Sequence, residues 1–531
     1  MKKNIIGFFT ALSVIGFILT GCETDPESFS GIRLSASQTT ADPDSTTEIS
    51  VTYIKEDTPD TSAQITLAIS NDSTEGAYFG TSGTKTATVK SGAKATLTLG
   101  CKNSEFVTIS ATYGNMIEKM TVGTSLNPTL SAADRPHGFA SYNASANFGG
   151  YKGSLKGTVV TTRKELKDAI SKAGIIYVKG MIDITDEGSG TKLPAPGSYS
   201  TDTTAALDAW VNEKSSGKYE TYPKWVSAYG AACSTSTDDR SGKSPQSSLY
   251  SMMSSLNGEW KKVIQLNIKS NTTIIGIPDE NGVAGGIRGG AISISKVSNV
   301  AIRNLVIQDG VDLFTHHEAD DGFNAQFDNI GIDGASNVWI DHCTLEDTLT
   351  LGSAGEKWQI YDGLCDIKGS ATNITVSYCQ FKNHDKTMLI GSSDSDGSNE
   401  KRFVTLHHNY FYNCGQRLPM VRNTKIHIFN NYYHSDGKSG YSNQYAIGCR
   451  KDSLIVAENN TFSGVTATRD SDGILYATGN NTGNAVGKKP FEPTSFYLYV
   501  MESASAVTSS LLAPSGITAA GAGKVSVSYE E

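Results

Sequence analysis

Charge is scarce in this chain: Asp, Glu, Lys and Arg make up 19% of its 531 residues, below the roughly one quarter usual in globular proteins. With 53 glycines and 9% aromatic residues, that shortage excludes a self-repelling disordered polymer and suits a folded, turn-rich chain. The formal charge of −9 argues against a nucleic-acid binder, and any polyanionic substrate must meet a local basic cluster or a bridging cation. The eight cysteines include no C-x-x-C pair and no regular spacing, which indicates neither a zinc site nor a disulfide framework and leaves the seven beyond Cys22 mostly as core thiols. Regular helical crossovers, which a globular α/β fold requires, are missing as well. The length allows one large domain and one small one.

The only extended apolar run, Ile5 to Leu19 behind Lys2 and Lys3, is too short and too one-sided for a spanning helix and reads as a signal peptide. It ends in Leu19-Thr20-Gly21-Cys22. Small residues before a cysteine resemble a bacterial lipobox, which implies removal of residues 1–21, acylation of Cys22 and an outer-membrane lipoprotein. The other reading is an ordinary signal peptide with an incidental cysteine. Residues 23–29 form an acidic, polar tether. Residues 30–124 are short alternating runs, such as Thr47 to Tyr53 and Phe106 to Ala111, separated by Ser/Asp/Gly turns. They resemble a bacterial immunoglobulin-like β-sandwich with no catalytic constellation, a spacer or weak binding module. Residues 125–136 read as a linker, and 137–531 as the main domain.

Within that domain a repeat decides the fold. Apolar residues at i and i+2, a core or small polar residue at i+4 and a bulky residue at i+7 recur as Val300/Ile302/Asn304/Ile307, Val338/Ile340/His342/Leu345 and Ile374/Val376/Tyr378/Phe381. The series continues with Val404/Leu406/His408/Phe411, Ile426/Ile428/Asn430/Tyr433 and Ile455/Ala457/Asn459/Phe462. Each unit describes two short strands meeting at a tight turn. Asn409, Asn431 and Asn460 share position i+5, where an asparagine ladder can satisfy the turn backbone of stacked coils. A third short strand precedes several units, at Leu364–Ile367, Met388–Ile390 and Met420–Val421. Three strands per coil, repeating every 22 to 38 residues, predict an all-β right-handed parallel β-helix with variable loops on one flank. Residues 185–262 break the repeat as an insertion with a helix around Ala205 to Glu213. Its aromatics Trp210, Tyr222, Trp225 and Tyr229 are read as local packing in preference to sugar subsites.

Two sets of polar residues converge on these coils. Lys386 and Arg417 fall at nearly the same place on consecutive coils, roughly one strand spacing of ~5 Å apart, and Arg422 follows on the adjoining short strand. Three cations so close call for an anion among them. Asp341 alternates outward beside Ile340, and Asp362 and Asp366 share one face at the start of the next coil. Three carboxylates without histidine or cysteine partners suit Ca²⁺ better than zinc, and a solvated acidic face is the other reading.

At these residues the chain resembles the pectate lyases of polysaccharide lyase family 1. The matching text is Val338-Trp339-Ile340-Asp341-His342, Asp362-Gly363-Leu364-Cys365-Asp366-Ile367-Lys368 and His384-Asp385-Lys386-Thr387-Met388-Leu389-Ile390-Gly391. It continues in Gln416-Arg417-Leu418-Pro419-Met420-Val421-Arg422 and Phe429-Asn430-Asn431-Tyr432-Tyr433. The resemblance implies cleavage of polygalacturonate (pectate) by β-elimination, with Asp341, Asp362 and Asp366 as calcium ligands, Arg417 as the base, and Lys386 and Arg422 holding substrate oxygens. It also implies a monomer. Met420 departs from the family, whose members often carry arginine there, so that loop is expected to hold substrate with one cation fewer. A pectin lyase typically lacks the acidic site. A β-helix hydrolase of the polygalacturonase kind would need paired carboxylates, for which Asp320-Asp321 is the candidate, but its companion motifs are missing. A non-catalytic pectin-binding β-helix would leave the cation cluster without a distinct purpose.

Overall fold

The computed structural model describes residues 30–37, 40–41, 44–56, 58–101, 106–124, 135–144, 148–151, 154–185, 205–233, 247–318, 322–349, 359–438, 441–482, 487–497, 499–527 and 529. The signal segment with Cys22, the tether, most of the linker and Asp320-Asp321 lie outside them.

Residues 31–124 form a small β-sandwich of two five-stranded sheets. The two runs singled out from sequence are strands Thr46–Lys55, in one sheet, and Phe106–Tyr113, in the other. Alternation puts Ile49, Val51, Ile65, Leu67, Leu97, Val107 and Ile109 into the space between them, where they are buried.

The remainder is a right-handed parallel β-helix of three sheets, one of ten strands and two of eight. The repeat maps onto it directly. Position i runs in register through the ten-stranded sheet as Val300, Val338, Ile374, Val404, Ile426 and Ile455. Position i+7 runs through the first eight-stranded sheet (Met181–Asp183 to Thr461–Ser463) as Ile307, Leu345, Phe381, Phe411, Tyr433 and Phe462. The last four stack as rings 4.7–4.9 Å apart and within 9° of parallel, so one column of the core is an aromatic pile.

The corner between these sheets explains positions i+4 and i+5. Asn304, His342, Tyr378, His408, Asn430 and Asn459 all take a left-handed backbone, with φ between 49° and 54°, which turns the chain while the strands on either side stay extended. The next residue points inward. Nδ2 of Asn409 donates to Asn431 Oδ1 at 2.9 Å, Asn431 to Asn460 at 3.0 Å, and Asn460 to Asn480 at 3.0 Å, a rung that the sequence pattern did not reveal. Below the ladder, the backbone N–H of Cys379 donates to Asn409 Oδ1, and Cys343 and Cys379 both carry free thiols.

Helix Arg163–Ile170, started by a capping box between Thr162 and Glu165, buries Leu166, Ala169 and Ile170 on the open end of the column. Among the described residues the insertion holds three helices, Ala205–Lys214, Tyr222–Cys233 and Ser247–Ile264. Trp210, Tyr222 and Trp225 pack against Phe314, and Tyr229 stacks on Trp225, all four in a buried cluster, so they serve as core and line no sugar site.

Candidate functional site

Each coil enters the second eight-stranded sheet (Gln265–Asn267 to Thr468–Arg469) from a loop, and the chemically active residues gather where those loops become strands. Asp328 stands two residues before strand Ile330–Asp333, and Asp362 three before Cys365–Lys368. Lys386 stands three before Leu389–Ile390, and Arg417 three before Met420–Val421. These strands are consecutive neighbours, so one flank carries a carboxylate end and a cationic end on adjacent rungs ~5 Å apart.

The carboxylate end consists of Asp328, Asp362 and Asp366. Asp366 and Asp328 are buried, at 3% and 7% exposure. One oxygen of each is tied to backbone: Leu389 N donates to Asp366 Oδ1 at 2.9 Å and Gly363 N to Asp328 Oδ1 at 3.1 Å. The other oxygen of each faces Lys368 Nζ, at 2.9 Å from Asp328 and 3.4 Å from Asp366. Burial raises both pKa values; repulsion from Asp366 and Asp362 adds to the rise at Asp328, and Lys368 works against it at both. Three carboxylates against one ammonium leave the pocket short of positive charge, and its donors are hard oxygens, so the residues fit a divalent cation such as calcium. Among the described residues no three acidic, histidine or cysteine side chains are gathered tightly enough to hold a metal ion as they stand.

Asp341 does not belong to this group. It ends strand Ser336–Asp341 of the ten-stranded sheet and faces outward from that sheet, in register with Arg303 and Ser377. Its Oδ2 accepts from Arg303 Nη2 at 3.1 Å and Nε at 3.2 Å, its Oδ1 from Ser377 Oγ at 2.8 Å, and His342 Nδ1 lies 2.9 Å away. Burial acts to raise its pKa, but His342, Arg303 and His137 reverse this and leave it well below the usual carboxylate range. Of the expected trio Asp341, Asp362 and Asp366, the structure brings Asp362 and Asp366 together with Asp328 and places Asp341 on a different sheet. Alternation established that Asp341 points outward, but a three-sheeted coil has several outward flanks, and only the tertiary structure says which one.

At the cationic end, Lys386 is 9% exposed and donates to Asn324 Oδ1 at 2.9 Å and Gln359 Oε1 at 3.3 Å, and its backbone bridges to Gln416. Arg417, with φ of +60°, is half-buried and lies near enough for its charge to act on Asp366. Its buried Nε has no hydrogen-bond partner among the described residues. Arg422 stands beyond the strand end, where its Nε pairs with the exposed Asp394 at 3.0 Å and its Nη1 donates to Gly391 O at 3.2 Å. Sequence reasoning also gave no role to His384, whose ring bridges Asp347 Oδ2 and the backbone carbonyl of Asp362, each at 2.7 Å, and so fixes the Asp362 loop. Its place beside Lys386 in the His384-Asp385-Lys386 run was the available signal. Next to Met420, Arg450 of the following coil brings Nη1 to 4.0 Å from the sulfur, so a cation stands near the position where Met420 supplies none.

One flank of a parallel β-helix thus carries a carboxylate pocket and, two rungs on, Arg417, whose Nε has no hydrogen-bond partner among the described residues. The profile of the pectate lyase family matches residues 235–525. A pectate lyase of Bacillus subtilis (strain 168) is 32% identical over 389 residues, 68% of this chain and 85% of that protein. Pectate lyase E of Dickeya chrysanthemi is 42% identical over 207 residues, 38% of this chain and about half, 53%, of its own length. Among solved structures, a polygalacturonate lyase fused with a self-assembling amphipathic peptide aligns with a TM-score of 0.59 at 28% identity, covering 75% of this chain and 98% of that one. The chain belongs to the pectate lyase family and is a polysaccharide lyase.

Proposed function

We propose that this enzyme cleaves the α-1,4 bonds of polygalacturonate by calcium-assisted β-elimination, leaving 4,5-unsaturated oligogalacturonates. The observation that carries the reading is the pocket of Asp328, Asp362 and Asp366 set one rung from Lys386 and two from Arg417, whose Nε lacks a partner among the described residues. Asp328, Asp362 and Asp366 would hold calcium, which when bound supplies charge neutralisation at the substrate carboxylate and so makes the C5 proton removable. Arg417 accepts that proton, and the electron pair left on C5 forms the C4–C5 double bond as the 4-O-glycosidic oxygen departs. A guanidinium is an unusual base, and Arg417 takes that role from its place in the Gln416-Arg417-Leu418-Pro419 text that resembles the family. Lys386 lies buried beside it and holds substrate carboxylate or hydroxyl oxygens, with Arg422 doing so once freed from Asp394.

A hydrolase would place an acid and a base or nucleophile on opposite sides of the scissile bond, whereas Asp328 and Asp366 share one pocket around Lys368. For the rest of the chain we infer export by the segment at Ile5 to Leu19, a lipid anchor on Cys22 in the outer membrane, and a monomer whose immunoglobulin-like N-terminal sandwich is a spacer. Incubating the purified protein with polygalacturonate, with calcium or with chelator, tests the central reading. Ultraviolet absorbance from the unsaturated product should rise only with calcium; no rise in either condition, or products lacking the unsaturated end, would overturn it.

A further inference from the structure

Lys368 closes strand Cys365–Lys368 and reaches back over the carboxylate pocket. Its ammonium lies 2.9 Å from Asp328 Oδ2 and 3.4 Å from Asp366 Oδ2, the two oxygens that the backbone does not hold. The opposite wall is closed by Gly363, where an added Cβ would come within 2.4 Å of Asp366 Oδ1 and 2.9 Å of Asp328 Oδ1. The pocket therefore offers a cation one place between those outward oxygens, and the lysine is already in it. Yet the Lys368 side chain retains 29% of its exposure while the two carboxylates retain 6% and 4%. A flexible four-carbon stem anchored at the groove edge can withdraw its charged head into water once another cation takes its place, which a rigid or fully buried cation could not.

We propose that Lys368 is the resident counter-ion of the pocket: its ammonium occupies the place a divalent cation takes, has to leave when the metal enters, and so lowers calcium affinity while keeping the metal-free fold intact. The proposal rests on the calcium reading above. A structural ion pair that never moves would behave differently, because its removal would strand two buried carboxylates without improving metal binding.

Calcium chloride titrated calorimetrically into the full-length protein without substrate separates the two. Lys368→Met should tighten the calcium Kd by about tenfold or more, since the metal no longer displaces a bound charge. Its melting midpoint in chelator should fall below that of the wild type and return on adding calcium. Lys368→Arg, which keeps both charge and fold, should bind calcium no more tightly than the wild type. An unchanged or weaker Kd in Lys368→Met, or tighter binding in Lys368→Arg, overturns the role of Lys368. Absence of calcium binding in the wild type overturns the calcium reading together with it.

Discussion

Replacing Asp341 by asparagine and Asp328 by asparagine should break the protein in two different ways. Asp341 neutralises Arg303, whose guanidinium is also held over the Trp339 ring at 4.3 Å, and the pair is nearly closed to solvent, at 2% and 11% side-chain exposure. In Asp341→Asn the amide would keep the shape and one acceptor for Ser377 but take the negative charge out of a nearly closed ion pair with Arg303, a loss of up to about 3–5 kcal/mol. In a domain of this size that corresponds to a fall in melting midpoint of roughly 4–6 °C. Calcium affinity should stay within about twofold, because Asp341 faces out from a different sheet. Asp328→Asn removes a pocket oxygen charge and should weaken calcium binding by about tenfold or more. Its fold should survive, since burial and the neighbouring carboxylates make the Asp328 charge costly in the metal-free protein. Differential scanning calorimetry and calcium titration on both variants check this. A melting midpoint unchanged in Asp341→Asn, together with a raised calcium Kd, would refute the assignment of the two aspartates.

Other consequences follow from the same geometry. Arg417→Lys should lower turnover by at least ~100-fold at every calcium concentration while polygalacturonate still binds, and the wild-type rate should climb toward alkaline pH; single-turnover kinetics across pH test both. Burial depresses His137 to about 4, against the opposing charge of Asp341, and His408 to about 3; it lowers His407 as well, where neighbouring imidazoles add to it, and His427, where Glu458 opposes it. Below pH ~6.5 the unfolded chain therefore binds protons that the folded one refuses, so stability should be lost as pH falls from ~6.5 to ~4, by about 3 kcal/mol for His137 alone. His137→Gln should flatten that fall in urea titrations at each pH. Asn431→Ala removes ladder bonds to Leu406, Phe429, Asn460 and Asn409 from a fully buried site and should cost about 3 kcal/mol or more, read from the urea midpoint. Cys22→Ala should move the protein from the membrane fraction to the soluble one without changing its specific activity.

The sequence alone determined the solenoid, because a stacked coil repeats its demands at every turn. The period-2 runs, the bulky i+7 residue and the asparagines at i+4 and i+5 each answer a local requirement: inward packing, a core column, a left-handed corner residue and a donor for the turn above. Lys386, Arg417 and the Asp362/Asp366 pair were legible for the same reason, since each keeps a constant offset from a short strand. What only the tertiary structure decided is which outward residues share a flank. Asp341 and Asp366 both alternate outward, yet they leave the helix from different sheets, and the strand that Asp366 joins brings in Asp328 from the coil before it. No periodicity marks Asp328, which follows a long excursion between strands Val306–Gln308 and Ile330–Asp333. The C-terminal strap is equally invisible in the pattern: Glu502, Ile517 and Gly523 run back down the corner to bond Asn430, His342 and Asn304, contacts spanning 72 to 219 residues of chain. Local spacing encodes the turn and the strand, whereas the meeting of distant loops depends on how many residues each coil spends before it returns.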